Sequence, residues 1–192
     1  MEAIRRTGKP DRQPSIFTIG HSTRPIDVFI GLLKAHNVGR LVDIRTMPRS
    51  RHNPQFNREE FAESLAKAGI HYTHIAGLGG LRHTTAASPN KGWRNTSFRG
   101  YADYMQTPEF EHSLQQAIEL AQQEQIALMC AEAVPWRCHR SMVADALIVR
   151  GIEVEEIVST EQRQPHKLTS FAKVEGLQIT YPPEPPPTGE LF

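Results

Sequence analysis

The sequence predicts an α/β protein: a single three-layer domain whose mainly parallel sheet has about five strands. Three observations carry this. Five short segments (Ser15 to Gly20, Leu41 to Arg45, Ile70 to Ile75, Ile126 to Cys130 and Ile152 to Val158) read as strands, and Ile126 to Cys130 is an apolar run with no internal charge. Stretches with apolar residues at helical spacing separate most of them. Two strand–helix–strand units in a row imply parallel strands with right-handed crossovers.

The 192 residues suffice for one domain with a sizeable core. A net charge of +1 gives no bulk field for nucleic acid, yet 16 of the 22 basic residues are arginine, the side chain suited to bidentate anion recognition. No apolar run reaches membrane-spanning length, and the polar N-terminus does not read as a signal peptide, so the reading is cytoplasmic with no membrane partner. Two cysteines eight residues apart, without a targeting signal, are expected to be reduced thiols.

In chain order, residues 1–14 read as a flexible N-terminus. The first strand ends in Gly20, His21, Ser22 and Thr23, a turn before Pro25 and a helix with Ile26, Phe29, Ile30 and Leu33 on one face. The second strand contains Asp43 and Arg45, unusual in a buried strand, and leads to a loop with Arg49, Arg51 and His52. Asn57 and Glu60 read as an N-cap pair for a helix that Gly69 ends. After the third strand, residues 76–100 form a long irregular segment, with Gly77, Gly79 and Gly80, and Trp93 and Phe98 suggest an ordered lid. Thr107, Pro108 and Glu109 start the next helix. Leu177 to Tyr181 reads as an edge strand. Residues 182–192 form a Pro-rich tail that five prolines stiffen, ending in Leu191 and Phe192.

The densest chemistry lies between the fourth strand and the helix after it: Cys130, Glu132, Pro135, Trp136, Arg137, Cys138, His139, Arg140 and Ser141. In open parallel sheets ligands bind at the carboxyl ends of strands, and helix N-termini attract anions. The ends of the first, second and fourth strands should therefore meet on one rim. The candidate catalytic residues are His21, Asp43 and Glu132 as proton carriers and Cys138 as nucleophile. The candidate anion ligands are Ser22, Arg45, Arg49, Arg99, Arg137, His139 and Arg140.

Each has a structural alternative. Asp43 and Arg45 could pair with other buried charges, His21 could bond a backbone carbonyl, and Glu132 could orient an arginine. Cys130 reads as a packing residue. Metal binding fits poorly, because Cys130, Cys138 and His139 lack paired-ligand spacing. No P-loop or dinucleotide fingerprint is present, so no cofactor is expected.

The leading functional reading is an enzyme acting on an anionic, phosphate-bearing or nucleotide-like small molecule. A second is a nucleic-acid-associated binding module that contacts phosphates through its arginines. A third is cysteine phosphatase or rhodanese-like chemistry at Cys130, although six residues precede Arg137, one more than the phosphatase loop has.

Five stretches together resemble the Domain of Unknown Function 488 family: Thr18 to Ser22, Leu41 to Arg45 with Pro48 and Arg49, Tyr72 with Gly77 to Gly80, Phe98 to Tyr101, and Cys130 to Glu132 with Pro135 and Cys138 to Ser141. The likeness runs roughly from Ser15 to Tyr181. It implies one α/β domain that gathers these motifs and supplies no established reaction. The Leu191-Phe192 ending is similar to the peptides that bind bacterial sliding clamps. Thr188 stands where their glutamine would be, and the expected partner is a clamp-like protein.

Overall fold

The computed structural model describes residues 14–183. Almost all of the expected flexible N-terminus, and the tail from residue 184 with Leu191 and Phe192, lie outside the described residues.

The strands are β1 (Ser15–Gly20), β2 (Arg40–Asp43), β3 (His71–His74), β4 (Ile126–Cys130), β5 (Glu153–Ile157) and β6 (Arg163–Pro165). They form one sheet in the order β3-β2-β4-β1-β5-β6. The first five are parallel, and β6 closes the edge antiparallel to β5. The helices are α1 (Ile26–Ala35), α2 (Arg58–Lys67), α3 (Thr96–Tyr104), α4 (Pro108–Gln123) and α5 (Arg140–Val149).

Strand order explains the three layers. From β1 through β2 to β3 the chain moves one way across the sheet, and from β3 through β4 to β5 it moves back. Right-handed crossovers place the connecting helices on opposite faces when that direction reverses. Accordingly, α1 and α2 pack with Phe17, Ile19, Leu41 and Met129 on one face. On the other, α3, α4 and α5 pack with Ile16, Val42, Ile126 and Leu128. Phe29 and Leu33 of α1 are fully buried, each contributing about 2 kcal/mol of hydrophobic stabilisation.

Local chemistry sets most boundaries. Pro108 opens α4, and Thr107 caps it by accepting from Phe110 N at 3.3 Å. Gly151, at φ +75°, lets the chain leave α5 directly for β5. The N-cap pair expected at Asn57 does not form. Asn57 is the α2 N-cap residue, but its Oδ1 accepts from Ser50 N at 2.8 Å, closing the loop before the helix instead.

The segment 76–100 is less irregular than expected. A 3-10 turn spans Ala76–Leu78, and α3 begins at Thr96. Asn95 caps α3, accepting from Ser97 N at 2.8 Å. The edge strand expected over 177–181 is instead β8 (Gln178–Thr180), paired with β7 (Lys173–Glu175) in a separate hairpin. No helix among the described residues is long and apolar enough to cross a membrane.

Candidate functional site

The carboxyl ends of β1, β2 and β4 open into a cleft of about 730 Å³. The pairing of β1 with β4 continues past the strands: His21 N donates to Cys130 O at 3.0 Å and Ser22 N to Ala131 O at 2.9 Å. Ser22 has φ 50°, a conformation that non-glycine residues seldom adopt and that recurs at functional sites. The two loops thus leave the sheet together and form the floor of the cleft.

Gly20 makes that floor possible. A Cβ at Gly20 would lie 1.7 Å from Glu132 O and 3.0 Å from Arg140 Nη1. Without a side chain there, the loop after β4 folds its Glu132 carbonyl inward and the Arg140 guanidinium fits beneath it.

Two buried networks support the cleft. In the first, Arg140 is fully buried at the start of α5. Its Nη1 lies 2.6 Å from Cys130 Sγ and donates to Glu132 O at 3.1 Å, while Nη2 pairs with Glu156 Oε1 at 2.8 Å. Thr18 Oγ1 donates to the other Glu156 oxygen. The Cys138 thiol points at Cys130 Sγ from 2.7 Å and receives Arg140 N–H at 3.4 Å.

These contacts separate the two thiols. Burial disfavours a thiolate at Cys130, but the Cys138 hydrogen bond and the Arg140 charge outweigh it, and the net shift is downward. The hydrogen bond that Cys138 donates, and then its burial, push its own thiol well above the ordinary value. A helix start beside cationic side chains ordinarily lowers a thiol pKa. The nearer sulfur decides otherwise, because Cys138 cannot both donate to Cys130 and ionise.

In the second network Asp43, fully buried, binds Arg45 through both carboxylate oxygens. Nε and Nη2 of Arg45 donate at 2.9 Å and 2.6 Å. Tyr72 donates its hydroxyl to Asp43 Oδ2 at 2.8 Å. Burial, then the Asp43 charge, raise the Tyr72 phenol, so it remains a donor. Arg45 also reaches Phe56 O at 2.8 Å, and its Nη1 lies 3.3 Å from His21 Nε2.

His21 Nδ1 lies 2.7 Å from Ser22 O, which can only accept, so Nδ1 carries the proton and Nε2 faces Arg45 as an acceptor. The ring stacks on Phe56 at 4.2 Å between centroids. Burial lowers the His21 pKa to about 4, and the imidazole is neutral near pH 7. His139 is similar. Its Nε2 donates to Ile44 O at 3.2 Å, leaving Nδ1 as an acceptor 3.5 Å from Cys138 Sγ, and burial lowers its pKa to about 4.

Of the residues singled out in the sequence, His21, Ser22, Arg45, Arg49, Glu132, Arg137, Cys138 and His139 line the cleft. Three do not. Asp43 lies behind Arg45, its oxygens occupied by Arg45 and Tyr72. Arg140 lies beneath Cys130, engaged by the sulfur, Glu132 O and Glu156. Arg99, on α3, donates to Trp93 O at 3.0 Å and braces its own loop. Arg49 and Arg137 are exposed on the rim, with no ion pair among the described residues. Met47 and Leu81 also line the cleft and are 66% and 69% exposed, so the rim is part cationic and part apolar.

Two residues outside the candidate site residues of the leading reading also matter. Cys130, a packing residue in the leading reading and the reactive sulfur in the phosphatase-like one, lines the cleft with its sulfur on Arg140. Glu156 was passed over, although a carboxylate in the strand Glu153–Ile157 carries the same signal as Asp43. Among the described residues, no group of three or more His, Cys, Asp or Glu side chains is placed to hold a metal ion.

No curated protein and no solved structure matches the chain. Residues 25–147, more than half of it, match a family model that spans both cysteines, Asp43, Arg45 and Arg140. The chain therefore belongs to the family described as Domain of unknown function DUF488.

Proposed function

We propose that the protein is a thiol-dependent enzyme whose Cys130 attacks a small anionic substrate held between Arg49 and Arg137. The observation that carries this reading is the 2.6 Å approach of Arg140 Nη1 to Cys130 Sγ, with Cys138 donating to the same sulfur. A cation and a donor on one sulfur stabilise its thiolate, the nucleophilic form. The nucleophile moves from Cys138, which donates, to Cys130, which receives.

The buried guanidinium of Arg140 sets the charge of the sulfur, and the rim arginines remain for the substrate. Arg45, clamped by Asp43, holds His21 at the edge of the cleft. His21 Nε2 is the neutral proton acceptor there once a substrate draws Arg45 Nη1 away. Glu132 contributes its carbonyl to the floor, and its side chain is exposed.

Alkylation of the full-length protein by iodoacetate and by iodoacetamide tests this. Cys130 should label near pH 7, and the anionic reagent should gain at least about tenfold over its rate ratio with free cysteine, through rim charge and local concentration. Cys130→Ser should abolish that labelling. Arg49→Ala with Arg137→Ala should return the ratio toward that of free cysteine. No labelling of Cys130, or an unchanged ratio, would overturn the reading.

A further inference from the structure

The Cys138 sulfur is 2.7 Å from Cys130 and lines the same cleft. Non-bonded sulfur atoms seldom come this close, and a disulfide requires about 2.05 Å. Both side chains are buried, Cys130 at 1% and Cys138 at 4% exposure, and among the described residues both face the cleft. We propose that Cys138 is the resolving thiol of Cys130, and that the pair performs thiol–disulfide exchange on the disulfide of an anionic low-molecular-weight thiol. This rests on the reading of Cys130 as the nucleophile.

The loop favours sulfur over phosphorus chemistry. A phosphate cradle aims backbone amides at the attacking sulfur. Here the Glu132 carbonyl lies 3.8 Å from Cys130 Sγ, with its oxygen toward the sulfur. A carbonyl beside the sulfur repels phosphoryl oxygens and leaves an uncharged disulfide sulfur unaffected. The charged ends of such a substrate reach the rim at Arg49 and Arg137.

Exchange proceeds through a mixed disulfide. The Cys130 thiolate forms a bond to one sulfur of the substrate RS–SR, and the S–S bond breaks to release RS⁻. Cys138 then attacks Cys130 Sγ and forms the internal disulfide. Its proton passes to His139 Nδ1, the acceptor 3.5 Å away, and the second RS⁻ leaves and takes that proton. Overall, two protein thiols are oxidised and one substrate disulfide is reduced to two thiols. A dithiol reductant returns the pair to its starting state.

Intact-mass and thiol analysis of the full-length protein after exposure to oxidised glutathione, with cationic cystamine as the charge control, tests the pair. Wild type should end two hydrogens lighter, carrying no adduct and a linked Cys130–Cys138 peptide. Cys138→Ser should retain one glutathione on Cys130, and Cys130→Ser should remain unmodified. His139→Gln should slow release of the second glutathione by roughly a hundredfold or more without slowing the first, as loss of a proton acceptor does. A stable glutathione adduct on wild-type Cys130 with Cys138 free would overturn the proposal. So would a Cys130 that takes iodoacetate and reacts with neither disulfide, and in that case the nucleophile reading stands. A Cys130 inert to iodoacetate as well removes both.

Discussion

Arg140 places Nη1 2.6 Å from Cys130 Sγ and Nη2 2.8 Å from Glu156 Oε1, so one fully buried guanidinium joins a thiol to a carboxylate across β4, β1 and β5. Removing it leaves Glu156 as an uncompensated buried charge. Arg140→Met should therefore cost about 3–5 kcal/mol in urea unfolding. In whatever remains folded, the pH midpoint for Cys130 alkylation should rise by about one unit or more. Arg140→Lys keeps the charge and should recover part of both. A folded Arg140→Met protein with an unshifted midpoint would remove Arg140 as the source of the thiolate.

Stability should fall as the solution is acidified below about pH 6.5. The imidazoles of His21 and His139 titrate near 6.5 in the unfolded chain and at about 4 in the fold. Between those values the unfolded chain binds more protons, so acid favours unfolding. Their contribution is complete above pH 6.5 and is lost as pH falls through about 4. For His21 it reaches up to about 3 kcal/mol. Burial raises the Glu156 carboxyl, and this acts in the opposite direction. The decisive measurement is the difference between wild type and His21→Gln in urea unfolding from pH 4 to 7. His21→Gln should show the shallower slope, and parallel curves would contradict the assignment.

Asp43 and Tyr72 test the second network. Asp43→Asn breaks a bidentate buried pair and leaves Arg45 without its counter-charge, at about 3–5 kcal/mol. Tyr72→Phe removes one hydrogen bond to the same carboxylate, at about 1–2 kcal/mol. Because both act on Asp43 Oδ2, the double variant should cost less than the two singles added together. Strict additivity in denaturant unfolding would show that the two contacts are independent.

Gly20→Ala should be among the costliest small substitutions in the chain. The added methyl would meet the Glu132 carbonyl oxygen at 1.7 Å, and that atom belongs to backbone. The loop after β4 must move, at about 3 kcal/mol or more. That movement also withdraws Glu132 O from Arg140 and loosens the guanidinium under Cys130. Slower Cys130 alkylation should accompany the drop in unfolding midpoint. Gly31→Ala, on α1 with open space around it, is the control and should be neutral or stabilising.

The strands and most helices can be read along the chain because they depend on neighbours. Ile126–Cys130 is an uninterrupted apolar run of strand length, and Pro108 after Thr107 is a helix start in any context. Segment 76–100 resisted reading because its order comes from elsewhere. Tyr101 OH donates to Leu78 O at 2.9 Å, and Arg82 lies over the Tyr104 ring, contacts that no local pattern predicts. Clustering of the site was readable for the same reason as the strands: residues after parallel strands share one rim. Asp43 also declared itself as a charge in a buried strand, with Arg45 two residues on and just past the strand's end.

The order in which the two thiols ionise was not written in their neighbourhood. Locally, Cys138 sits at a helix start beside Arg137, His139 and Arg140, and Cys130 ends an apolar strand, so the chain alone favours Cys138 as the more acidic thiol. Folding inverts this. Gly20, more than a hundred residues earlier, leaves room for Arg140 to turn beneath Cys130, and Glu156 on β5 holds the guanidinium there. The Cys138 thiol is left as a donor to its neighbour. Thiol ionisation follows the nearest charge and the nearest hydrogen bond in space; for Cys130 these are Arg140 and Cys138 of the loop and helix that follow it, held in place by Gly20 and Glu156, which only the sheet order brings within reach.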